Sequence, residues 1–130
     1  MPLRAMVALA LLESGQPERA HSLLGERAPD DIVDYCSTAG RAMRLLVLTE
    51  TGTEQEIREA LVPLEDHLGV PVSYGTIDHL GVVDHFVAAA YAALGDEHAR
   101  DVAAAAVAGN RRLGVLPWLR RSEALLARLS

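Results

Sequence analysis

The residues able to do chemistry gather in the middle of the chain. Asp66-His67-Leu68-Gly69 and Asp78-His79-Leu80-Gly81 are near-copies, and Asp84-His85 adds a further Asp-His pair. Carboxylate and imidazole serve as general acid/base groups and as metal ligands. If residues 69–79 fold back, His67, His79, His85, Asp78 and Asp84 approach one another. The spacing does not define a metal site, because H-E-x-x-H is absent. Neighbouring residues on a helix also point about 100° apart, so Asp84 and His85 do not face one centre. The expectation is no metal and no cofactor. The plainer role for His67 is a charge at a helix C-terminus, favoured by the dipole.

Tyr74, His79, His85 and Tyr91 form a second set, polar points around an apolar small-molecule pocket. Their plainer roles are loop anchoring for Tyr74 and core-edge packing for Tyr91. Cys36 is the only cysteine, and only Asp34 lies near it in sequence. A nucleophile needs a base held beside it, so Cys36 reads as a small buried hydrophobe. Neither G-x-S-x-G nor a Ser-His-Asp order is present.

These residues must be positioned by helices. A helix-turn-helix pattern recurs at Met6 to Leu24, Met43 to Leu61 and Phe86 to Val107, broken at Gly15, Gly52 and Gly95. Repeats of this length indicate stacked helical hairpins. The pattern predicts an all-α fold of about seven helices in antiparallel pairs, a tetratricopeptide-like α-solenoid forming a single domain over residues 1–130. The first helix spans Leu3 to Ser14 and is apolar nearly all round, so it should be buried. Helix three is expected to start near Ile32. Thr53-Glu54-Gln55-Glu56 is a capping box for helix four, which Pro63 should kink or shorten. Residues 69–79 make a long extended connection. Helix five faces inward through Val83, Phe86, Val87, Ala90 and Leu94. Helix six, capped by Asp96, does so through Ala99, Val102, Ala103, Ala106 and Leu113. Helix seven opens at Pro117 and turns Trp118, Ser122, Leu125, Leu126 and Leu129 to one side.

The formal net charge of −6 argues against nucleic-acid binding, which needs a basic footprint. Residues 110–130 nevertheless hold Arg111, Arg112, Arg120, Arg121 and Arg128 against Glu123 alone. The plain reading is solvated helix faces; the sharper one is contact between a basic end and an acidic partner. One cysteine forms no internal disulfide, the opening residues lack a signal-peptide pattern, and the uncharged run at 5–12 is too short for a bilayer. A cytoplasmic, non-membrane protein is expected. The exposed apolar start of a helical stack is normally covered, so a homo-oligomer through the N-terminal helix is expected as well.

Residues from about 41 to 129 resemble the C-terminal helical repeats of large ATP-binding bacterial transcriptional regulators of the LuxR-type and cyclase-associated kind. The resemblance is carried by Ala60-Leu61-Val62-Pro63, Leu80-Gly81-Val82-Val83-Asp84-His85-Phe86, Ala92-Ala93-Leu94-Gly95, Asn110-Arg111-Arg112-Leu113-Gly114 and Pro117-Trp118-Leu119. It implies a tetratricopeptide scaffold or sensor without catalytic residues, in which Asp84-His85 belong to the repeat packing. No P-loop G-x-x-x-x-G-K and no DNA-binding segment accompany it, so the regulator activity does not carry over. The residues therefore point to a non-catalytic module that binds a protein or peptide partner, or a small effector. Arg41, Arg44, Tyr74, His85, Tyr91 and Arg120 are its candidate binding residues. The alternative is a cofactor-free isomerase or cyclase using His79 or His85 as acid/base, assisted by Tyr74 or Asp84.

Overall fold

Turn chemistry divides the chain into its elements. The computed structural model describes residues 3–24, 37–74 and 78–130. Its helices are α1 (Leu3–Glu13), α2 (Pro17–Leu24), α3 (Ser37–Thr51), α4 (Glu54–Glu65), α5 (Val83–Leu94), α6 (Ala99–Leu113) and α7 (Leu116–Arg128). The two strands are β1 (Pro71–Tyr74) and β2 (Asp78–Val82). Among the described residues the fold is thus all-α apart from one small hairpin. The stretch predicted as the start of helix three, with Cys36, lies outside the described residues.

Local signals explain most boundaries. Thr53 accepts the Glu56 N–H while the Glu56 side chain accepts the Thr53 N–H, so the capping box forms. Thr53→Ala should cost about 1 kcal/mol, read as a lowered urea midpoint with unchanged slope; an unchanged midpoint would discount the cap. Pro63 sits within α4, and the helix ends two residues later at Glu65. Gly95 ends α5 with φ 70°, a conformation that costs other residues about 1 kcal/mol or more. Gly52 turns differently: its N–H donates to the Leu48 carbonyl at 2.7 Å. Asp96 acts earlier than a cap of α6. Its carboxylate accepts the His98 N–H at 2.8 Å, and His98 occupies the cap position, its ring bonded to Asp96 and not to the helix end.

The apolar faces then pack. α1 packs on α2 and α3, α3 on α4 and α5, α5 on α6, and α6 on α7. The main core joins Leu45, Leu48, Leu64, Val72, Val83 and Phe86. α1 is less buried than its composition predicts. Ala5, Ala8 and Leu9 face inward, whereas Val7 is 43% exposed. On α6 the expected inward Leu113 is 43% exposed, and the fully buried position belongs to Asn110. Leu113 continues the stripe of 99, 103, 106 and 110, but it is the last residue of α6, where Gly114 turns the chain with φ 70°.

β1 pairs antiparallel with β2, with Pro71 opposite Val82, Ser73 opposite His79 and Tyr74 opposite Asp78, and an irregularity between Pro71 and Ser73. The hairpin leads directly into α5, and the Val83 N–H donates to the Val70 carbonyl at 3.0 Å. It thereby fixes where α5 begins, and so where Asp84 and His85 point.

Candidate functional site

Asp84 and His85 diverge, as adjacent helical residues must. The Asp84 carboxylate accepts the Gly69 N–H with both oxygens, at 3.1 and 3.0 Å. Burial raises its pKa, against the opposing pull of that hydrogen bond and of Arg112. Gly69, from the first of the Asp-His-Leu-Gly copies, is thus the partner of Asp84, and this contact ties the end of the α4 region to the start of α5.

His85 points toward α7. Its Nδ1 lies 2.9 Å from Ser122 Oγ. Asn110 Nδ2 donates to the same hydroxyl at 2.9 Å, and Asn110 Oδ1 accepts the Val82 N–H at 2.9 Å. Asn110 and Ser122 are 0% exposed and His85 is 5% exposed. The chain of bonds assigns a tautomer. The Asn110 oxygen is taken by Val82, so its amide must donate to Ser122. The Ser122 proton then goes to His85 Nδ1, leaving the ring proton on Nε2. Burial, reinforced by the positive charges of Arg121 and Arg128, lowers the His85 pKa to about 4. His85 is therefore a neutral N–H donor at pH 7. Phe86 and Trp118 hold the ring at centroid distances of 5.6 and 5.5 Å.

Hydroxyl, imidazole and amide in series invite comparison with a nucleophilic triad. The burial argues otherwise. The Ser122 oxygen is shut away from solvent, and no carboxylate among the described residues orients the imidazole. The arrangement satisfies polar groups where β2, α5, α6 and α7 meet.

His85 also borders a groove of about 890 Å³. The lining comes from α1, α3, α5 and α7, and from none of α2, α4 or α6. Leu9, Leu12, Leu46, Ala89, Ala92 and Leu125 supply apolar wall, while Glu13, Glu50, Arg121 and Arg128 supply charge. Arg121 lies over the Trp118 ring, 4.5 Å from its centroid. Its other contact is an ion pair with Glu13 at 2.5 Å, joining the first helix to the last. The volume suits a small ligand or a short stretch of peptide.

The other predicted site residues stand apart from this groove. Arg44 donates to the Leu24 carbonyl at 3.5 Å, at the end of α2. Arg41 is half-buried, and its Nε has no hydrogen-bond partner among the described residues. Arg120 is exposed outside the groove. The Tyr91 hydroxyl donates to Glu65 at 2.9 Å, and burial together with that carboxylate pushes its pKa up to about 12. Tyr74, Asp78 and His79 lie on the hairpin, and their side chains fall outside the described residues. Among the described residues no group of three His, Cys, Asp or Glu is placed to hold a metal. No described helix is long and apolar enough to cross a membrane.

Sequence reasoning placed Ser122 on the inner face of α7 but missed Asn110, Arg121 and Arg128. Asn110 continues the inward stripe of α6, and its polarity disguised that. Arg121 and Arg128 are seven residues apart, two helical turns, and so share a face.

Fold and groove together define a class, an all-helical protein with a mixed-charge groove bordered by alternate helices. No family model matches the chain, and neither a curated protein nor a solved structure matches it.

Proposed function

We propose that this chain is a non-catalytic helical-repeat binding module of the tetratricopeptide-like solenoid kind, derived from the helical region of a regulator, whose groove receives a peptide segment of a protein partner. The carrying observation is the lining: α1, α3, α5 and α7 all contribute to one groove. That is what results when helices pack in sequential pairs and the first member of each pair turns to the same side. An apolar floor with charged edges suits a segment that presents both kinds of side chain. The enzyme alternative finds less support. His85 has Nδ1 committed to Ser122, and Asp84 is committed to Gly69.

Filling the groove tests the reading. Ala92 is half-buried on its lining, so Ala92→Trp extends into open space. Peptides selected from a displayed library of random 12-residue sequences should bind the wild type and lose at least about tenfold in affinity to this variant, or about 1.4 kcal/mol. Its unfolding midpoint should stay close to wild type. Undiminished binding would exclude the groove.

A further inference from the structure

The charges of the groove are unequally engaged. Arg121 is held between the Trp118 face and the Glu13 carboxylate. Arg128 has no ion pair among the described residues. Both belong to α7 and line the groove beside His85, whose Nδ1 is already taken by Ser122. The α7 side therefore offers donors, and its one acceptor, Glu13, comes from the opposite end of the chain. Both members of the Glu13–Arg121 pair are nearly half exposed, at 48% and 45% of side-chain surface. A pair this wet contributes little to stability, so a competing carboxylate can displace it at small cost.

We propose that Glu13 is an internal stand-in for a ligand carboxylate: the groove takes an acidic peptide segment, one of whose carboxylates displaces Glu13 from Arg121 while another reaches Arg128. This rests on the groove reading above and adds the chemistry of the occupant. Seven residues of α7 separate the two arginines, about 10 Å along the helix axis. The two ligand carboxylates should be a similar distance apart, with apolar side chains between them to meet Ala89 and Leu125. Glu50, on the α3 side and without an ion pair among the described residues, repels acidic groups there. It thus directs the acidic edge of the peptide toward α7.

The same 12-residue library, selected on the full chain, supplies the probes. Peptides whose binding Ala92→Trp abolishes should carry two Asp or Glu side chains about 10 Å apart, as the α7 spacing requires. Glu13→Gln should tighten them about two- to fivefold, the worth of one exposed ion pair. Arg128→Gln should weaken them about two- to fivefold, by the same measure. Both positions are exposed, and unchanged thermal midpoints confirm that the variants remain folded. Groove-binding peptides that are neutral or basic, and indifferent to Glu13→Gln and Arg128→Gln, would overturn the carboxylate proposal and leave the groove reading standing. Peptides that ignore Ala92→Trp would overturn both.

Discussion

Gly81→Ala is expected to destabilise the protein by about 2–5 kcal/mol, a large share of what a chain of this size possesses. Two effects add. Gly81 has φ 78°, a conformation that L residues rarely adopt and that costs an alanine about 1–2 kcal/mol. A methyl group there would also lie 2.4 Å from Asn110 Oδ1 and 3.0 Å from Trp118 Cβ. Neither neighbour is free to move. Asn110 is fixed by Val82 and Ser122, and Trp118 is 7% exposed against Phe86. Overpacking of such a site costs about 1–3 kcal/mol more. Gly95→Ala separates the terms, because Gly95 has φ 70° but nothing within 4 Å of the added carbon. It should lose only the conformational part, about 1 kcal/mol. Urea unfolding of both variants decides the matter. Equal losses would show that the contact with Asn110 is easily relieved.

The other large effect is a pH dependence carried by His85. Its pKa is about 4 in the folded protein against the ordinary 6.5. A lowered value means that the unfolded chain binds more protons between those limits, so stability increases with pH across them. The contribution is complete above about pH 6.5 and is lost as pH falls toward 4. It amounts to about 3 kcal/mol. Asp84 acts in the opposite sense. Burial raises its pKa, so its contribution is present below its ordinary value of 3.8 and is lost as pH rises through the folded one. The positive charges of Arg121 and Arg128 oppose protonation of His85. His85→Gln keeps a polar group beside Ser122 but does not titrate. Between pH 6.5 and 4 the wild type should lose about 3 kcal/mol more than this variant. Parallel stability curves would mean that the folded protein accommodates a charged His85.

Both effects come from the junction of the hairpin with α5, α6 and α7, which the sequence disclosed in part. The Asp-His-Leu-Gly copies and the Asp84-His85 pair marked the region as unusual, with repeat packing or a helix-end charge as the plainer reading and acid/base chemistry as the alternative. Among described side chains, Asp84 and His85 meet Gly69 and Ser122, and the other described pair does not join them. His67 Nδ1 is buried without a hydrogen-bond partner among the described residues, and Asp66 is exposed. Gly69 and Gly81, which close the two copies, both have positive φ. The repeated motif thus marks two positions of left-handed backbone, one after α4 and one inside β2.

By itself the sequence determined what depends on neighbours along the chain. The Thr53–Glu56 cap, the breaks at Gly15 and Gly95, and the inward faces of α5 and α7 are local. They follow from side-chain hydrogen bonding, backbone conformation and helical period. Only the tertiary structure decided what depends on residues far apart. Asn110 is a core residue because Val82 and Ser122 arrive from other elements to satisfy its amide. Glu13 meets Arg121 across 108 positions of the chain. Helical period can show that Arg121 and Arg128 share a face; it cannot show that α1, α3 and α5 turn their own faces toward them, because that depends on how the helices pack.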